Sequence, residues 1–308
     1  MSISVLIPAY NASAFIAETL ESALRQTLPA DDILVVDDGS TDDTAAIAAG
    51  FPAPVRVISI PNSKLGAARN FGISQIQSEW IALLDADDIW RENKLERQME
   101  ELRKHPEADI CYTGHQPFST TQGVRTFHSP VLGPPCERVR QSLLRAAIFL
   151  PSSVIMRRSK LLEVGGFSPD PGVAEDWDLW LRLRRAGVQF AACPEPLLLY
   201  RVHSKSITSD KSNTWAKNAK TYREQVVPQL HVPDRWIAPA RYFSGYKVEI
   251  AYSLRDKGDP RCLSVMTASI LQWPFGDFTR YKVWLHMLLT RAGVLSKPVP
   301  AGSSPESR

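Results

Sequence analysis

The feature that most constrains the fold of this chain is a regular alternation, over residues 1–115, of short apolar runs and amphipathic segments. The apolar runs have the length of buried β-strands, and we place these strands at residues 3–7, 33–36, 55–60, 80–84 and 109–113. The segments between them carry apolar residues at helical spacing. Continuous apolar strands separated by amphipathic helices predict an α/β fold, with a parallel sheet covered by helices on both faces.

Acidic side chains follow two of these strands at the point where each strand ends. The second strand leads into Asp37 and Asp38, and the fourth leads into Asp85, Asp87 and Asp88. Ligands of parallel sheets bind outside the carboxyl ends of the strands. We therefore expect the two acidic groups to converge on one crevice.

Asp85 and Asp87 have a spacing that suits a divalent cation. Two carboxylates at i and i+2 after a buried strand can approach one ion, and Mg²⁺ and Mn²⁺ prefer oxygen ligands. Such an ion can neutralise a diphosphate leaving group. The alternative is a solvated acidic turn in which Asp88 caps the following helix.

Two further side chains are candidates for nucleotide contacts. The carboxylate of Asp38 can accept the imide N–H of uracil or thymine, or it can simply cap a turn. Arg69, one turn inside a predicted helix, can reach a phosphate or a nucleobase edge. The alternative for Arg69 is an ion pair that neutralises Asp85 or Asp87.

The next part of the chain continues the α/β pattern less regularly. Residues 116–138 are rich in Gly, Pro, Ser and Thr and predict a long loop. We expect helices at 139–149 and 174–185, and strands at 152–156, 188–192 and 197–200. From residue 211 onward the pattern is helical, with breaks expected at Pro228, Pro233, Pro239, Pro260 and Pro274.

Three titratable residues in this part are candidates for chemistry. Glu175 and Asp176 lie in the first turn of a predicted helix, where the helix dipole favours anions. They can act as caps, or Asp176 can act as a general base that removes a proton from an acceptor hydroxyl. His203 follows a predicted strand, and its imidazole is either structural or a ligand for a Mn²⁺-type metal.

Charge is distributed unevenly along the 308 residues. Residues 211–308 carry a local charge of +8 and 12 of the 27 aromatic residues, whereas residues 1–210 carry a local charge of −5. The overall charge of only +3 and the lack of a recognition motif argue against a nucleic-acid partner. Aromatic and basic residues together, as in 275–289, suit either an anionic membrane surface or a helical cap or dimer contact.

The compartment is predicted from cysteines and from hydropathy. Four scattered cysteines without a CxxC pair indicate free thiols in a reducing compartment. The N-terminus has no signal-peptide pattern, and no stretch approaches the roughly 20 apolar residues of a spanning helix. We expect a cytoplasmic protein, with a peripheral position on the inner face of the plasma membrane as a further hypothesis.

Taken in order, these motifs resemble the family 2 glycosyltransferases with the GT-A fold. The resemblance covers about residues 2–207 and is carried by residues 4–11, 37–42, 66–72, 85–90, 165–167, 175–183 and 200–206. It implies a mostly parallel central sheet flanked by helices, in a GT-A domain at 1–207. That domain would divide into a nucleotide-binding half, 1–115, and an acceptor or catalytic half, 139–207. An α-helical C-terminal extension, 208–308, would follow.

The resemblance also implies an activity. It predicts an inverting transfer of a sugar from a nucleotide-diphosphate sugar, with a UDP-sugar favoured over a dTDP-sugar, to a saccharide or lipid-linked saccharide acceptor. The product would be a surface polysaccharide or glycoconjugate. The Gln-x-x-Arg-Trp motif of processive synthases does not occur, so one sugar per encounter is expected. The oligomeric state stays open.

By position, the resemblance assigns a role to each candidate residue. Asp176 is the base, and Glu175 holds the acceptor or orients Asp176. Asp85 and Asp87 correspond to the metal-binding Asp-x-Asp motif, with Asp87 the direct ligand of Mn²⁺ or Mg²⁺ and His203 a further contact. The nucleotide contacts are assigned to Pro8, Tyr10, Asp38, Arg69 and Asp85.

Two other functions are compatible with parts of the pattern. A sugar-1-phosphate nucleotidyltransferase requires a Gly-rich loop after the first strand, and Pro8-Ala9-Tyr10-Asn11 contains none. A catalytically silent sugar-nucleotide-binding module would tolerate loss of Asp87 or Asp176, yet each expected acidic position is occupied.

Overall fold

The first four predicted strands form the parallel part of the central sheet. In the computed structural model these are β1 (Ile3–Ala9), β2 (Asp32–Asp37), β3 (Val55–Ser59) and β4 (Trp80–Leu83). They pair in the order β3-β2-β1-β4, and each pairing is parallel. β1 extends through Pro8, which lies in register with Val36, and so ends two residues later than predicted.

Helices α1 (Ile16–Leu24), α2 (Thr44–Ala49), α3 (Leu65–Gln75) and α4 (Lys94–Lys104) connect or follow these strands. Their apolar faces pack on the sheet. Ile16, Leu20 and Ala23 of α1 are fully buried in the same core cluster as Val5 and Val35. The helical spacing of apolar residues therefore identified the buried face of α1.

The rest of the sheet is mixed in direction. β8 (Val154–Arg157) pairs antiparallel with β4, and β6 (Ile110–Thr121) pairs antiparallel with β8 and parallel with β9 (Phe190–Arg201). The two-residue strand β5 (Ile89–Trp90) closes the edge beside β9. The full order is β3-β2-β1-β4-β8-β6-β9-β5.

The prediction of a loop at 116–138 is wrong for the first part of this range. β6 continues to Thr121 and forms a hairpin with β7 (Val124–Phe127), with Gln122 and Gly123 both at positive φ in the turn. The two strands predicted at 188–192 and 197–200 are a single strand, β9. An irregular register opposite Thr113–His115 accommodates its Pro-Glu-Pro segment.

The remaining helices of this part also differ in their bounds. α5 (Cys136–Ser142) begins and ends earlier than predicted, and α6 (Arg158–Glu163) was not predicted. A single 3-10 turn, Pro151–Ser153, precedes β8. α7 (Glu175–Arg185) lies as predicted, within one residue.

The structure describes residues 1–203, 206, 211–231, 234–275 and 279–292. The chain divides into two compact units, Met1–Ser209 and Asp210–Arg308. The second unit contains α8 (Lys211–Thr221), a π turn and a 3-10 turn over 222–229, α9 (Asp234–Asp256), α10 (Arg261–Gln272) and α11 (Thr279–Arg291).

The proline breaks were predicted correctly in part. Pro228 lies in the 3-10 turn, Pro260 immediately precedes α10 and Pro274 follows it, whereas Pro239 lies inside α9 without ending it. Pro239 is in the second turn, so the one missing backbone donor leaves the longer C-terminal part of the helix intact. Pro233 lies outside the described residues. No helix in the ranges given above is long and apolar enough to cross a membrane.

Candidate active site

The candidate site forms at the carboxyl edge of the parallel strands. Asp37 is the last residue of β2 and Asp38 follows it, while Asp85 lies two residues after the end of β4. Because β2 and β4 flank β1 in the same direction, both acidic segments leave the sheet at one edge. The strand ends thus place the two acidic groups at the same edge of the sheet.

Arg69 of α3 links two parts of this edge. Its Nη2 lies 2.6 Å from Oδ1 of Asp85, and its Nη1 lies 3.2 Å from Oε1 of Glu175. The side chain is only 2% exposed, and its guanidinium lies 4.9 Å from the ring centroid of Phe167. The ion pair with Asp85 was one of the two alternatives from the sequence, whereas the pair with Glu175 was not foreseen.

Ser152 and Asp88 fix the backbone after β4. The Ser152 hydroxyl donates to Oδ2 of Asp88 at 2.6 Å and accepts the N–H of Asp85 at 3.0 Å. Oδ1 of Asp88 accepts the N–H of Arg201 at 3.0 Å. The buried Asp88 therefore links the segment after β4 to the 3-10 turn and to β9 by hydrogen bonds. It does not cap α4, whose N-cap residue is Asn93.

Asp87 contacts His203, the residue that the family resemblance assigns to the same metal site. Nε2 of His203 lies 2.9 Å from Oδ2 of Asp87, and the imidazole packs against the ring of Phe15 with centroids 4.7 Å apart. Nε of Arg201 donates to the Asp87 carbonyl at 2.7 Å. Burial raises the pKa of Asp87, and the charge of Asp85 adds to this, against the hydrogen bond with His203.

The donor set fits a hard divalent cation in its chemistry. Asp85 and Asp87 carry negative charges that repel each other, and such an ion would neutralise them. The imidazole of His203 is a further suitable ligand. His203 also has a buried Nδ1 that has no hydrogen-bond partner among the described residues. Across the part of the chain that the structure describes, however, no group of three His, Cys, Asp or Glu side chains is placed so that it could hold a metal ion by itself. Any ion here would need oxygen ligands from a bound molecule or water as well.

Asp176 lies in the first turn of α7, next to Glu175. Its Oδ1 accepts the N–H of Trp177 at 2.6 Å. Burial, and then the charge of Glu175, raise the pKa of Asp176 to about 6, while the Trp177 N–H and Arg69 act in the opposite direction. A carboxylate with this pKa is ionised at neutral pH and basic enough to accept a proton.

Asp38 holds the loop that leads into α3. Its Oδ1 accepts from the N–H and the hydroxyl of Ser63, at 2.6 and 2.8 Å, and its Oδ2 accepts the N–H of Lys64 at 3.0 Å. Lys64 has a φ of 76°, so the carboxylate supports a strained turn. Pro8 is buried within β1, whereas Tyr10 just beyond it is 52% exposed. The base contacts of these residues stay predictions.

Sequence reasoning missed Ser152, Arg201 and Glu18. Arg201 donates to Oε2 of Glu18 at 2.7 Å, and Arg125 of β7 pairs with Oε1 of the same carboxylate. The guanidinium of Arg201 also lies over the rings of Phe15 and Phe118. The only sequence signal was the position of Arg201 two residues before His203 in the segment 200–206.

Comparison with known sequences gives a consistent family. The model described as glycosyl transferase family 2 matches residues 4–165. An uncharacterized glycosyltransferase of Rickettsia conorii is 31% identical over 68% of this chain, and the match spans only 36% of that protein. A putative teichuronic acid biosynthesis glycosyltransferase of Bacillus subtilis, TuaG, is 29% identical over 74% of this chain and 89% of its own length.

Comparison with solved structures gives the fold. TarS 1–349 of Staphylococcus aureus, in complex with UDP-GlcNAc, aligns with a TM-score of 0.61 at 15% identity, covering 96% of this chain and 88% of that one. The mannosyltransferase PcManGT of Pyrobaculum calidifontis, in complex with GDP-Man and Mn²⁺, aligns with a TM-score of 0.60 at 17% identity, covering 95% and 79%. At these identities the likeness shows a common GT-A-type fold.

Proposed function

The chain belongs to glycosyl transferase family 2, and from this membership and the site described above we propose that it moves one sugar from a nucleotide-diphosphate sugar to an acceptor hydroxyl, with inversion at the anomeric carbon. The donor is a UDP-sugar, and a hexosyl or N-acetylhexosaminyl group is transferred. The acceptor is a saccharide or lipid-linked saccharide in surface polysaccharide or glycoconjugate synthesis. The names of TuaG and of the TarS complex with UDP-GlcNAc support this choice of substrates.

One observation carries the proposal. Arg69 pairs simultaneously with Asp85, from the segment proposed to bind the donor, and with Glu175, which adjoins the proposed base. The donor side and the acceptor side are thereby held at the two ends of one buried guanidinium. An inverting transfer needs a base and a leaving group on opposite faces of the sugar, and the two ion pairs of Arg69 would keep the segments that provide them at a fixed separation.

Asp176 is the proposed general base. Its raised pKa, about 6, keeps it ionised at neutral pH and gives it more proton affinity than an ordinary aspartate. It would take the proton of the acceptor hydroxyl as that oxygen attacks the anomeric carbon and the bond to the diphosphate breaks. Glu175, fixed by Arg69, would keep Asp176 in place and contribute to its raised pKa.

The donor side is assigned to the residues after β2 and β4. Asp87, Asp85 and His203 would hold a divalent cation, Mn²⁺ or Mg²⁺, together with diphosphate oxygens. When bound, such an ion neutralises charge that develops on the departing diphosphate. The Mn²⁺ of the PcManGT complex supports a metal of this kind. Pro8, Tyr10, Asp38 and Arg69 would border the nucleoside, and Asp38, which accepts three hydrogen bonds here, has acceptor capacity left for the base N–H.

We further propose a cytoplasmic location with peripheral attachment to the inner face of the plasma membrane, where a lipid-linked acceptor would be presented. The second unit, with its basic and aromatic composition, would provide the attachment.

The experiment is a measurement of nucleoside diphosphate release from UDP-, dTDP- and GDP-sugars with Mn²⁺ and saccharide acceptors present, comparing wild type with Asp176→Asn. Asp176→Asn should reduce turnover by about 10²–10⁴-fold while UDP still binds. Asp31→Asn is the matched control, because Asp31 lies at the amino end of β2 and accepts the N–H of Ile3. Equal turnover in wild type and Asp176→Asn would remove the assignment of the base. Tight binding without release from any donor, in wild type, would favour a silent sugar-nucleotide-binding module.

A further inference from the structure

The second unit contains a cavity of about 550 Å³ that is lined by α9, by the segment that follows α10 and by the start of α11. This volume lies in the range of small-molecule pockets. The lining combines two cations, one carboxylate and three aromatic rings, which belong to Arg241, Arg280, Glu249, Tyr252, Trp273 and Phe275. Among the residues that the structure describes, two positive charges against one negative charge make the cavity suitable for an anion.

Arg280 is the most informative residue of the lining. Its side chain is buried, with 3% exposure, and it is held by neutral acceptors. Nη1 donates to Oγ of Ser244 at 2.8 Å and Nη2 donates to the Trp273 carbonyl, whereas Nε has no hydrogen-bond partner among the described residues. Among the residues described for this unit, no carboxylate lies within ion-pair distance of Arg280.

A buried guanidinium without a counter-charge is energetically unfavourable. Arginine does not relieve this cost by losing its proton, because it stays charged at any physiological pH. An anion in the cavity would supply the counter-charge that the described residues do not provide. Phosphate oxygens suit the planar, multi-donor geometry of arginine particularly well.

The surroundings of the cavity indicate where such an anion comes from. Phe275 on the lining and Leu271 in the last turn of α10 are 80% and 78% exposed. Trp273 packs edge-to-face against Phe275 with centroids 5.6 Å apart. Exposed aromatic and aliphatic side chains beside basic ones are typical of protein surfaces that insert into the headgroup region of a membrane. The local charge of +8 over residues 211–308 would attract the chain to an anionic surface.

We propose that this cavity binds the phosphate of an anionic phospholipid headgroup, with Arg241 and Arg280 as the phosphate ligands and with Phe275 and Leu271 inserted among the lipids. The cavity would thereby anchor the second unit to a membrane surface. This deepens the membrane attachment proposed above and rests on it, but it does not depend on the transfer reaction. Asp176→Asn should therefore bind vesicles as wild type does while it loses transfer.

The test is co-sedimentation of the full chain with vesicles of phosphatidylcholine, with or without phosphatidylglycerol. Binding should require phosphatidylglycerol and should weaken as salt is added. Arg241→Gln should weaken it by about fivefold, the effect of one basic residue near a membrane surface. Phe275→Ser should weaken it as well. Arg255→Gln is the matched control, since Arg255 is an exposed arginine of α9 that pairs with Asp256 and does not line the cavity.

Three outcomes would overturn the proposal. The first is equal binding to both kinds of vesicle or to neither. The second is an equal loss of vesicle binding in Arg241→Gln and Arg255→Gln, which would mean that the overall positive charge, and not the cavity, causes the binding. The third is stabilisation of the protein by inorganic phosphate without vesicle binding, which would assign the cavity to a soluble phosphate compound. Arg280→Gln, checked for folding by its melting curve, should lose at least as much vesicle binding as Arg241→Gln.

Discussion

Nη2 of Arg69 lies 2.6 Å from Oδ1 of Asp85, and the arginine side of this ion pair is almost completely shielded from water. The other terminal nitrogen of the same guanidinium reaches Glu175, 106 residues further along the chain. Charged pairs of this kind are directional as well as strong when the arginine is buried. Arg69 therefore fixes the segment after β4 relative to the start of α7, which are the two halves of the candidate site.

Arg69→Lys should reduce kcat/KM for sugar transfer by about tenfold or more, because a lysine ammonium lacks the planar fork that holds both carboxylates. Steady-state kinetics with the best donor measure this effect. Arg157→Lys is the matched control, since Arg157 also approaches two carboxylates, Glu79 and Asp109, at a more exposed place. Wild-type kcat/KM in Arg69→Lys would contradict the positioning role.

The rate of transfer should depend on pH through Asp176. Its pKa of about 6 lies above that of an ordinary aspartate, and the base works only when it is ionised. The kcat should therefore fall about tenfold per pH unit below pH 6 and level off above it. Burial contributes most to the raised pKa of Asp176, the charges of Glu175 and Asp85 raise it further, and the Trp177 N–H and Arg69 lower it.

Glu175→Gln should move the acid limb of the pH profile, the fall in kcat at low pH, to lower pH. It removes the neighbouring negative charge that raises the pKa of Asp176, and it frees Arg69 to act more strongly on Asp176. Both changes have the same sign. The pH profile of kcat in wild type and variant gives the answer, and a limb that stays in place or moves to higher pH would mean that another group titrates.

Asp87→Asn should weaken metal-dependent donor binding. A ligand that binds only the native state raises the melting temperature, so UDP with Mn²⁺ should stabilise wild type more than UDP alone. The extra shift caused by Mn²⁺ should shrink in Asp87→Asn and in His203→Ala, and it should persist in Asp31→Asn. An undiminished Mn²⁺-dependent shift in Asp87→Asn would remove that residue from the proposed ligands.

Ser152→Ala should destabilise the first unit and raise the KM for the donor. The substitution removes the donor to Asp88 and the acceptor for the Asp85 N–H, leaving a buried carboxylate short of one hydrogen bond. We expect a loss of about 1–3 kcal/mol in the free energy of unfolding, measured with urea. Ser153→Ala is the neighbouring control, because its buried hydroxyl donates only to the Leu150 carbonyl. A donor KM that rises equally in both variants would show a general loss of stability instead of a displaced Asp85.

Much of the fold follows from local patterns in the sequence. The first four strands lie within two residues of their predicted positions at either end, because a run of apolar residues bounded by polar ones fixes a buried strand wherever it pairs. The family and the GT-A-type fold were also predicted correctly from the order of the motifs. Asp85, Asp87 and Asp176 were singled out because carboxylates at strand ends and in a first helical turn are few and recognisable.

The same patterns failed where pairing, and not local composition, decides the structure. Residues 116–121 look like a loop because they contain Pro, Ser and Thr, yet they form a strand whose partners are β9 and β7. Lys64 takes a positive φ that its type disfavours, because Asp38 accepts its backbone N–H and that of Ser63. Neither outcome is visible without the partner segment.

The sequence by itself determined the alternation of strands and helices, the edge at which acidic residues collect and the residue types available for a cation and a base. Those properties depend on side-chain chemistry and on spacing along the chain. Only the tertiary structure decided that Arg69 joins Asp85 to Glu175, that Ser152 and Asp88 tie β4 to β9, and that Arg280 is buried without a carboxylate among the described residues. Each of these depends on groups brought together from distant segments, since ion pairs and hydrogen bonds act over a few ångströms in space, whatever the separation along the chain.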